Sequence, residues 1–278
     1  MSKLLSANFI RLRKSIEFWI CAVSTLLLSA GMIYSGSGWA KEAASRGYIK
    51  PLDDYFFQMV PYIGAIIAIF ISLFVGTEYS DGTIRNKLIV GHTRTDIYLA
   101  NFWTCLISSV VFTILWFIGG LPGLYLIGSF SMGITEVIAY LFVAIGIAAA
   151  LSAIFVWISM VPRSKAHTVV FAIVLWVLMG LAGSGVNDRL HEQEFNGVGM
   201  AMINGEFVMM EGTPNPLYLT GIARIVFECL YRIIPIGQAV AMLELEITTP
   251  VLNIAVSVIV TVVATVLGIL TYRRKDLK

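Results

Sequence analysis

Residues Val137–Val161 read VIAYLFVAIGIAAALSAIFVWISMV, twenty-five consecutive positions without one Asp, Glu, Lys, Arg or His. A helix rises about 1.5 Å per residue, so roughly 20 apolar residues cross about 30 Å of hydrocarbon. This stretch is long enough and apolar enough to span a membrane. Five more segments meet the same test: Ile16–Tyr34, Phe56–Gly76, Tyr98–Gly119, His167–Gly185 and Val251–Tyr272. The expected fold is an all-α integral membrane protein with six transmembrane helices, read as one domain over residues 1–278.

Composition agrees. Of 278 residues 58% are hydrophobic and 13% charged, and the mean hydropathy is +0.85. A soluble domain needs about a quarter of its residues charged to cover its surface. The net charge of +2 implies no nucleic-acid partner. Cys21, Cys105 and Cys229 stand far apart, which suits buried apolar packing better than a disulfide framework or a zinc site. The first apolar stretch has full membrane length, so a cleaved signal peptide is not expected.

The charges have sides. Thirteen Lys and Arg (Lys3, Arg11, Arg13, Lys14, Arg85, Lys87, Arg94, Arg163, Lys165, Arg273, Arg274, Lys275 and Lys278) flank one end of the six spans, against six at the other. Twelve acids lie at that second end, from Glu42 to Glu246. Cytoplasmic flanks carry the cationic excess, so both termini are expected in the cytoplasm of a plasma-membrane protein. Residues 1–15 form a separate element. Leu5, Phe9, Leu12 and Ile16 fall on one helical stripe, with Lys3, Arg11 and Lys14 opposite. Such a helix lies along the inner surface with its cations toward lipid headgroups; the alternative is a disordered basic tail.

Several chemistries are missing. No charge occupies the middle of a span, whereas ion-coupled carriers need ionisable groups there. Neutral residues such as Gln58, Asn101, Ser108, Ser109, Ser152 and Asn253 are expected to join helices by hydrogen bonds. His191-Glu192 lacks the second His of a helical zinc motif. No lysine follows a glycine, so no phosphate-binding loop is present. If ATP drives this chain, another subunit binds the ATP and its Mg, and the chain is expected to hold no cofactor and no ATPase site.

The loop Thr77–Ile97 reads TEYSDGTIRNKLIVGHTRTDI. Asp81 or Thr83 can cap a short helix and Gly91 can end it in the left-handed conformation. Ile84 and Leu88 share one face of it. Thr93 with Asp96 offers a second cap, opening the third span. Residues Glu78 to Leu88, with Arg94-Thr95 and Tyr98, resemble the signature of ABC-2-type permeases, the membrane subunits of ATP-binding-cassette exporters. The resemblance extends to the layout of surface helix, six spans and a long outer segment. It implies that this loop is a cytoplasmic coupling helix docking on an ATPase, with Glu78, Asp81, Gly82, Thr83, Ile84, Arg85, Lys87, Leu88 and Gly91 as candidate positions. The alternative is an ordinary solvated loop with a basic flank.

Within residues 186–250, Leu217–Ile234 is apolar but carries Arg224, Glu228 and Arg232 four apart on one face, a possible ladder. Pro235-Ile236-Gly237 breaks it and Gln238 starts another helix. These resemble the family's paired re-entrant helices, which makes Arg224, Glu228, Arg232, Pro235, Gly237 and Gln238 an extracellular gate; an amphipathic hairpin on the outer surface is the alternative. Residues 186–215 show no period and suggest a small flap. One chain has too few helices to enclose a path for a bulky amphiphile, so a second permease chain, identical or homologous, is expected. Two ATPase subunits would serve the pair. Uncharged walls favour hydrophobic or amphipathic cargo such as a peptide or antibiotic. Rival readings are an ATP-independent channel or carrier, and a membrane sensor or immunity protein.

Overall fold

The computed structural model describes residues 1–162, 164–197, 199–203, 206–210 and 212–275, with backbone alone for 199–203 and 206–210. Of the charges placed by sequence, Arg163, Glu211 and Lys278 lie outside the described residues. The chain begins with α1 (Ser2–Lys14), which ends at Ser15; the Ser15 hydroxyl caps α2 (Ile16–Ser45), accepting from the Phe18 N–H. A short α3 (Asp53–Phe56) and a 3₁₀ turn (Phe57–Met59) lead into α4 (Val60–Ser80). Then come α5 (Thr83–Ile89), α6 (Arg94–Gly120), α7 (Gly123–Leu126), α8 (Ile134–Ser159) and α9 (Lys165–Leu190). Four short strands follow, β1 (Phe195–Asn196), β2 (Gly199–Ile203), β3 (Glu206–Met210) and β4 (Thr213–Pro214). They pair antiparallel as β1–β4 and β2–β3. The chain closes with α10 (Gly221–Ile233), α11 (Pro235–Leu243) and α12 (Pro250–Arg274).

Six helical stretches are long and apolar enough to cross a membrane: Ile16–Ser45, Asp53–Ser80, Arg94–Leu126, Ile134–Ser159, Lys165–Leu190 and Pro250–Arg274. The protein is an all-α integral membrane protein, its only described strands being the two small ribbons after α9. Every backbone group inside hydrocarbon has to be paired within the segment, which leaves helices as the spanning form for such sequences.

Burial sorts the spans. In α4, α6 and α8 the apolar stretches are 67%, 50% and 56% buried, against 28%, 17% and 17% in α2, α9 and α12. The first three make the centre and the others stand around it. Phe56, Phe57, Phe70, Phe112 and Trp116 are fully buried there and meet edge to face or tilted. Ser109 and Ser152 bond across α6 and α8 at 2.8 Å, and Ser29 donates to the Trp116 carbonyl at 2.7 Å. Other neutral residues do less than expected between helices. Ser108 donates to the Thr104 carbonyl one turn back. Gln58 is exposed and donates to the Asp54 carbonyl within its own segment.

The two ends of the bundle differ. At the termini end, α1 and α5 pack on α6 and the start of α6 meets the close of α12, where the Arg94 guanidinium donates to the carbonyls of Tyr272, Arg273 and Lys275. At the distal end, buried Asp53 accepts from the backbone N–H of Ser131 at 2.6 Å and from its hydroxyl. That contact ties the entry to α4 to the loop before α8.

Between α10 and α11 the chain bends by 97°. The break lies at Ile234, whose ψ of 114° is extended. A residue preceding proline is driven out of the helical region, and Pro235 then opens α11, where its missing N–H costs nothing. Pro235, Ile236 and Gly237 therefore begin the second helix instead of forming the break. Residues Pro235–Met242 are all buried against α9, α4 and α8. Gly183 of α9 makes that approach possible: a Cβ there would lie 3.0 Å from the Gly237 nitrogen.

Candidate functional site

The carboxyl-terminal turn of α4 carries Glu78, whose side chain has no solvent exposure. Helix α4 continues to Ser80, four residues beyond the span expected from hydropathy, and this carries the carboxylate inward. One oxygen accepts from both the Arg11 guanidinium and the Lys87 ammonium. The other accepts from Asn101 Nδ2 at 2.7 Å. Asn8 closes the circuit, donating to Asn101 Oδ1 at 2.7 Å and accepting from Lys87 at 3.2 Å. The Arg11 guanidinium also lies 3.7 Å above the Phe74 ring. A single buried anion thus holds α1, α4, α5 and α6 together through charge-assisted bonds, the strong class of hydrogen bond.

This network corrects several expected contacts. Glu78 and Ile84 are buried, and Lys87 keeps 17% of its side-chain exposure while bonded inward. The buried Glu78 and Ile84 side chains and the inward bond of Lys87 hold α5 in place. Arg11 points into the protein and not toward headgroups, while Lys3 and Lys14 are exposed. The inward stripe of α1 is Leu4, Asn8 and Leu12; it shares Leu12 with the expected Leu5–Phe9–Leu12–Ile16 and takes Leu4 and Asn8 in place of Leu5 and Phe9. On that side Asn8 and Arg11 bond to Asn101 and Glu78. Neither Asp81 nor Thr83 caps α5: Gly82 at φ +68° holds that position, and the Thr83 hydroxyl donates to the Glu78 carbonyl. Gly91 does adopt a positive φ, +97°, and Thr93 caps α6 by accepting from the Asp96 N–H.

What α5 presents to solvent is Arg85, Asn86, Ile89 and Val90, flanked by Asp81, Gly82 and Gly91, with Leu88 and Thr83 half-buried. Ile89 and Val90 are 76% and 77% exposed. They are two adjacent β-branched apolar side chains beside the exposed Arg85. They were missed in the sequence because Ile84 and Leu88 define the periodic face, and residues off it read as solvated. Asn8 was legible in principle: it stands four residues from both Leu4 and Leu12, on their stripe.

At the distal end α10, α11 and the start of α12 enclose a half-open cavity of about 530 Å³. Arg224, Glu228, Tyr231 and Arg232 line it from α10, and Gln238 and Ala241 from α11. Leu245–Thr249 and Asn253 line it from the α12 side, with Leu190 and His191 opposite. The expected ladder is half formed: Arg224 donates to Glu228 at 3.2 Å, and Arg232 has no acidic partner among the described residues. Gln238 donates to the Arg232 carbonyl at 2.6 Å and accepts from Ser257 at 3.2 Å. Pro235 and Gly237 shape α11 without facing the cavity.

His191 Nδ1 lies 2.8 Å from the Asn187 carbonyl and Nε2 lies 2.6 Å from Glu246. The Asn187 carbonyl and an ionised Glu246 both accept, which favours the imidazolium with a proton on each nitrogen. The Asn187 carbonyl, then the Glu246 carboxylate, with Glu244 near, raises the imidazole above its ordinary 6.5. A raised folded-state value means the pair stabilises fully below about pH 6.5 and loses that contribution as pH rises through the folded value. NMR titration is expected to place His191 above 6.5, and Glu246→Gln to bring it down; an unchanged value in that variant would sink the assignment.

Comparison with protein-family models finds a match over residues 4–179 to a model described as ABC-2 family transporter protein. The match runs from α1 into α9 and stops before α10. No curated protein matches the chain.

Proposed function

The chain belongs to the ABC-2 transporter family, and from that membership we propose that it is the membrane subunit of an ATP-driven exporter of hydrophobic or amphipathic cargo. Family membership makes it a multi-pass membrane subunit of an ABC transporter, a class that works with an ATP-binding subunit.

The observation that supports the reading most is the exposed surface of α5 on a rigid mount. Arg85, Asn86, Ile89 and Val90 face outward, while Glu78 binds the same short helix to α1, α4 and α6. A push on α5 is therefore delivered to two spans and the interfacial helix together. In this reading the termini end is cytoplasmic, as the lysine and arginine bias requires. Two ATPase subunits, which bind the ATP and Mg, grip two such helices in a permease pair. Helix α11, inserted among α4, α8 and α9, closes the route at the distal end until the spans move. The uncharged interiors of α4, α6 and α8 suit an amphipathic peptide or antibiotic better than an ion or a sugar.

Purification of the chain together with the ATP-binding protein encoded beside its gene tests this. A stable complex is expected, with ATP hydrolysis that drives amphipathic peptide out of the inner leaflet in reconstituted vesicles. Conduction or exchange without ATP would make the chain a channel or carrier. Protection of cells by a complex with a catalytically dead ATPase would make it a sensor or immunity protein.

A further inference from the structure

We infer that the distal cavity binds the phosphate headgroup of an amphiphile. The inference rests on the cavity alone and holds whether or not ATP drives the chain.

The charge balance of the lining comes first. Arg224 is paired with Glu228, and Glu246 with His191. Arg232 remains, half-buried, lining the cavity with no acidic partner among the described residues. A second donor source, the start of a helix, borders the same space at Thr249 and Asn253. Helix α12, 25 residues long, begins there, and its cap Thr249 makes no side-chain hydrogen bond to it. The first backbone bond at this end runs from the Asn253 N–H to the Thr249 carbonyl. The N–H groups of Val251 and Leu252 precede it and are orphans of the helix start, which favours an anion.

The third observation is Asn253 itself. It lines the cavity, is 5% exposed, and its Oδ1 has no hydrogen-bond partner. A buried amide left unpaired is costly; its oxygen only accepts, so it is the amide N–H of the same side chain, also without a partner among the described residues, that can donate to an oxyanion. A cation, a helix start and an unpaired amide converge on one oxyanion.

The amphiphile follows from α10. Its polar side, Arg224, Glu228, Tyr231 and Arg232, borders the cavity. Its other side carries Ile222, Ile225, Val226, Leu230 and Ile233, all exposed. A helix so divided lies at a membrane boundary, so the cavity opens at headgroup level. Leu190, Ala241, Leu245 and Ile247 supply apolar wall for the first carbons of a chain.

The test uses the full chain purified in dodecyl maltoside, titrated with dodecyl phosphate by calorimetry. Saturable binding of one dodecyl phosphate per chain is expected. Arg232→Gln should weaken it about 10-fold or more, the usual loss for one charged hydrogen bond. Lys41→Gln, an exposed cation outside the cavity, should leave it unchanged. Dodecyltrimethylammonium, with the same tail and the opposite charge, should not compete on the wild-type chain, which makes the test independent of how Arg232→Gln folds. Absence of saturable binding, equal competition by dodecyltrimethylammonium, or a well-folded Arg232→Gln with wild-type affinity would overturn the site. Inorganic phosphate binding as tightly as dodecyl phosphate would overturn the amphiphile and leave a free oxyanion site.

Discussion

Glu78→Ala is expected to destabilise the protein by roughly 3–5 kcal/mol, the usual cost of removing one partner from a buried ion pair. Two cations share this carboxylate, which has no exposure of its own, so its loss leaves Arg11 and Lys87 facing each other. The value should fall toward the lower end, because Arg11 keeps 31% of its side-chain exposure and can turn toward water. Asn101 loses its acceptor as well. Adding Lys87→Met to Glu78→Ala should recover part of the loss, since one of the two stranded charges is gone. Arg85→Glu, on the exposed face of the same helix, should stay within about 0.5 kcal/mol of wild type. Denaturant unfolding in detergent micelles reads all three. A Glu78→Ala protein as stable as wild type would mean that the four helices are held by something other than this anion.

Ile89→Asp with Val90→Asp is expected to weaken binding of the ATP-binding subunit by about 30-fold or more. That corresponds to the roughly 2 kcal/mol that marks a hot-spot residue in a protein interface. Both side chains are exposed by three-quarters, so the isolated chain should unfold as wild type does. The pair of measurements separates two expected effects: loss of Glu78 on α4 should loosen α5, and the change at Ile89 and Val90 should alter only what α5 binds. Surface plasmon resonance with the purified subunit gives the affinity. Unchanged affinity in the double variant would move docking to another surface and remove the main support for ATP coupling through α5.

The membrane class, the six spans and the caps at Gly91 and Thr93 were legible in the sequence because each is a local property. Whether twenty residues enter hydrocarbon depends on their summed transfer free energy, which composition reports directly. Thr93 caps α6 through a bond to Asp96, three residues away. The site was legible only as a segment. Thr77–Ile97 stood out, but the direction of each side chain within it depended on partners far along the chain. Arg11 and Glu78 are 67 residues apart, and Asn8 and Asn101 are 93 apart. Glu78 read only as a candidate docking position because no local pattern announces two cations arriving from other elements. Only the tertiary structure decided that it is the buried centre of a network and that Ile89 and Val90 face out. At the distal end the Ile234 break followed from the proline after it, a local steric rule. That α11 enters the bundle and α10 stays at its edge was decided by packing, since Gly183 lets one backbone cross another at a distance that a Cβ, 3.0 Å from the Gly237 nitrogen, would push apart. Apolar transfer is additive along a chain and can be read from it. The pairing of charges is a property of three-dimensional neighbours, and folding alone supplies those.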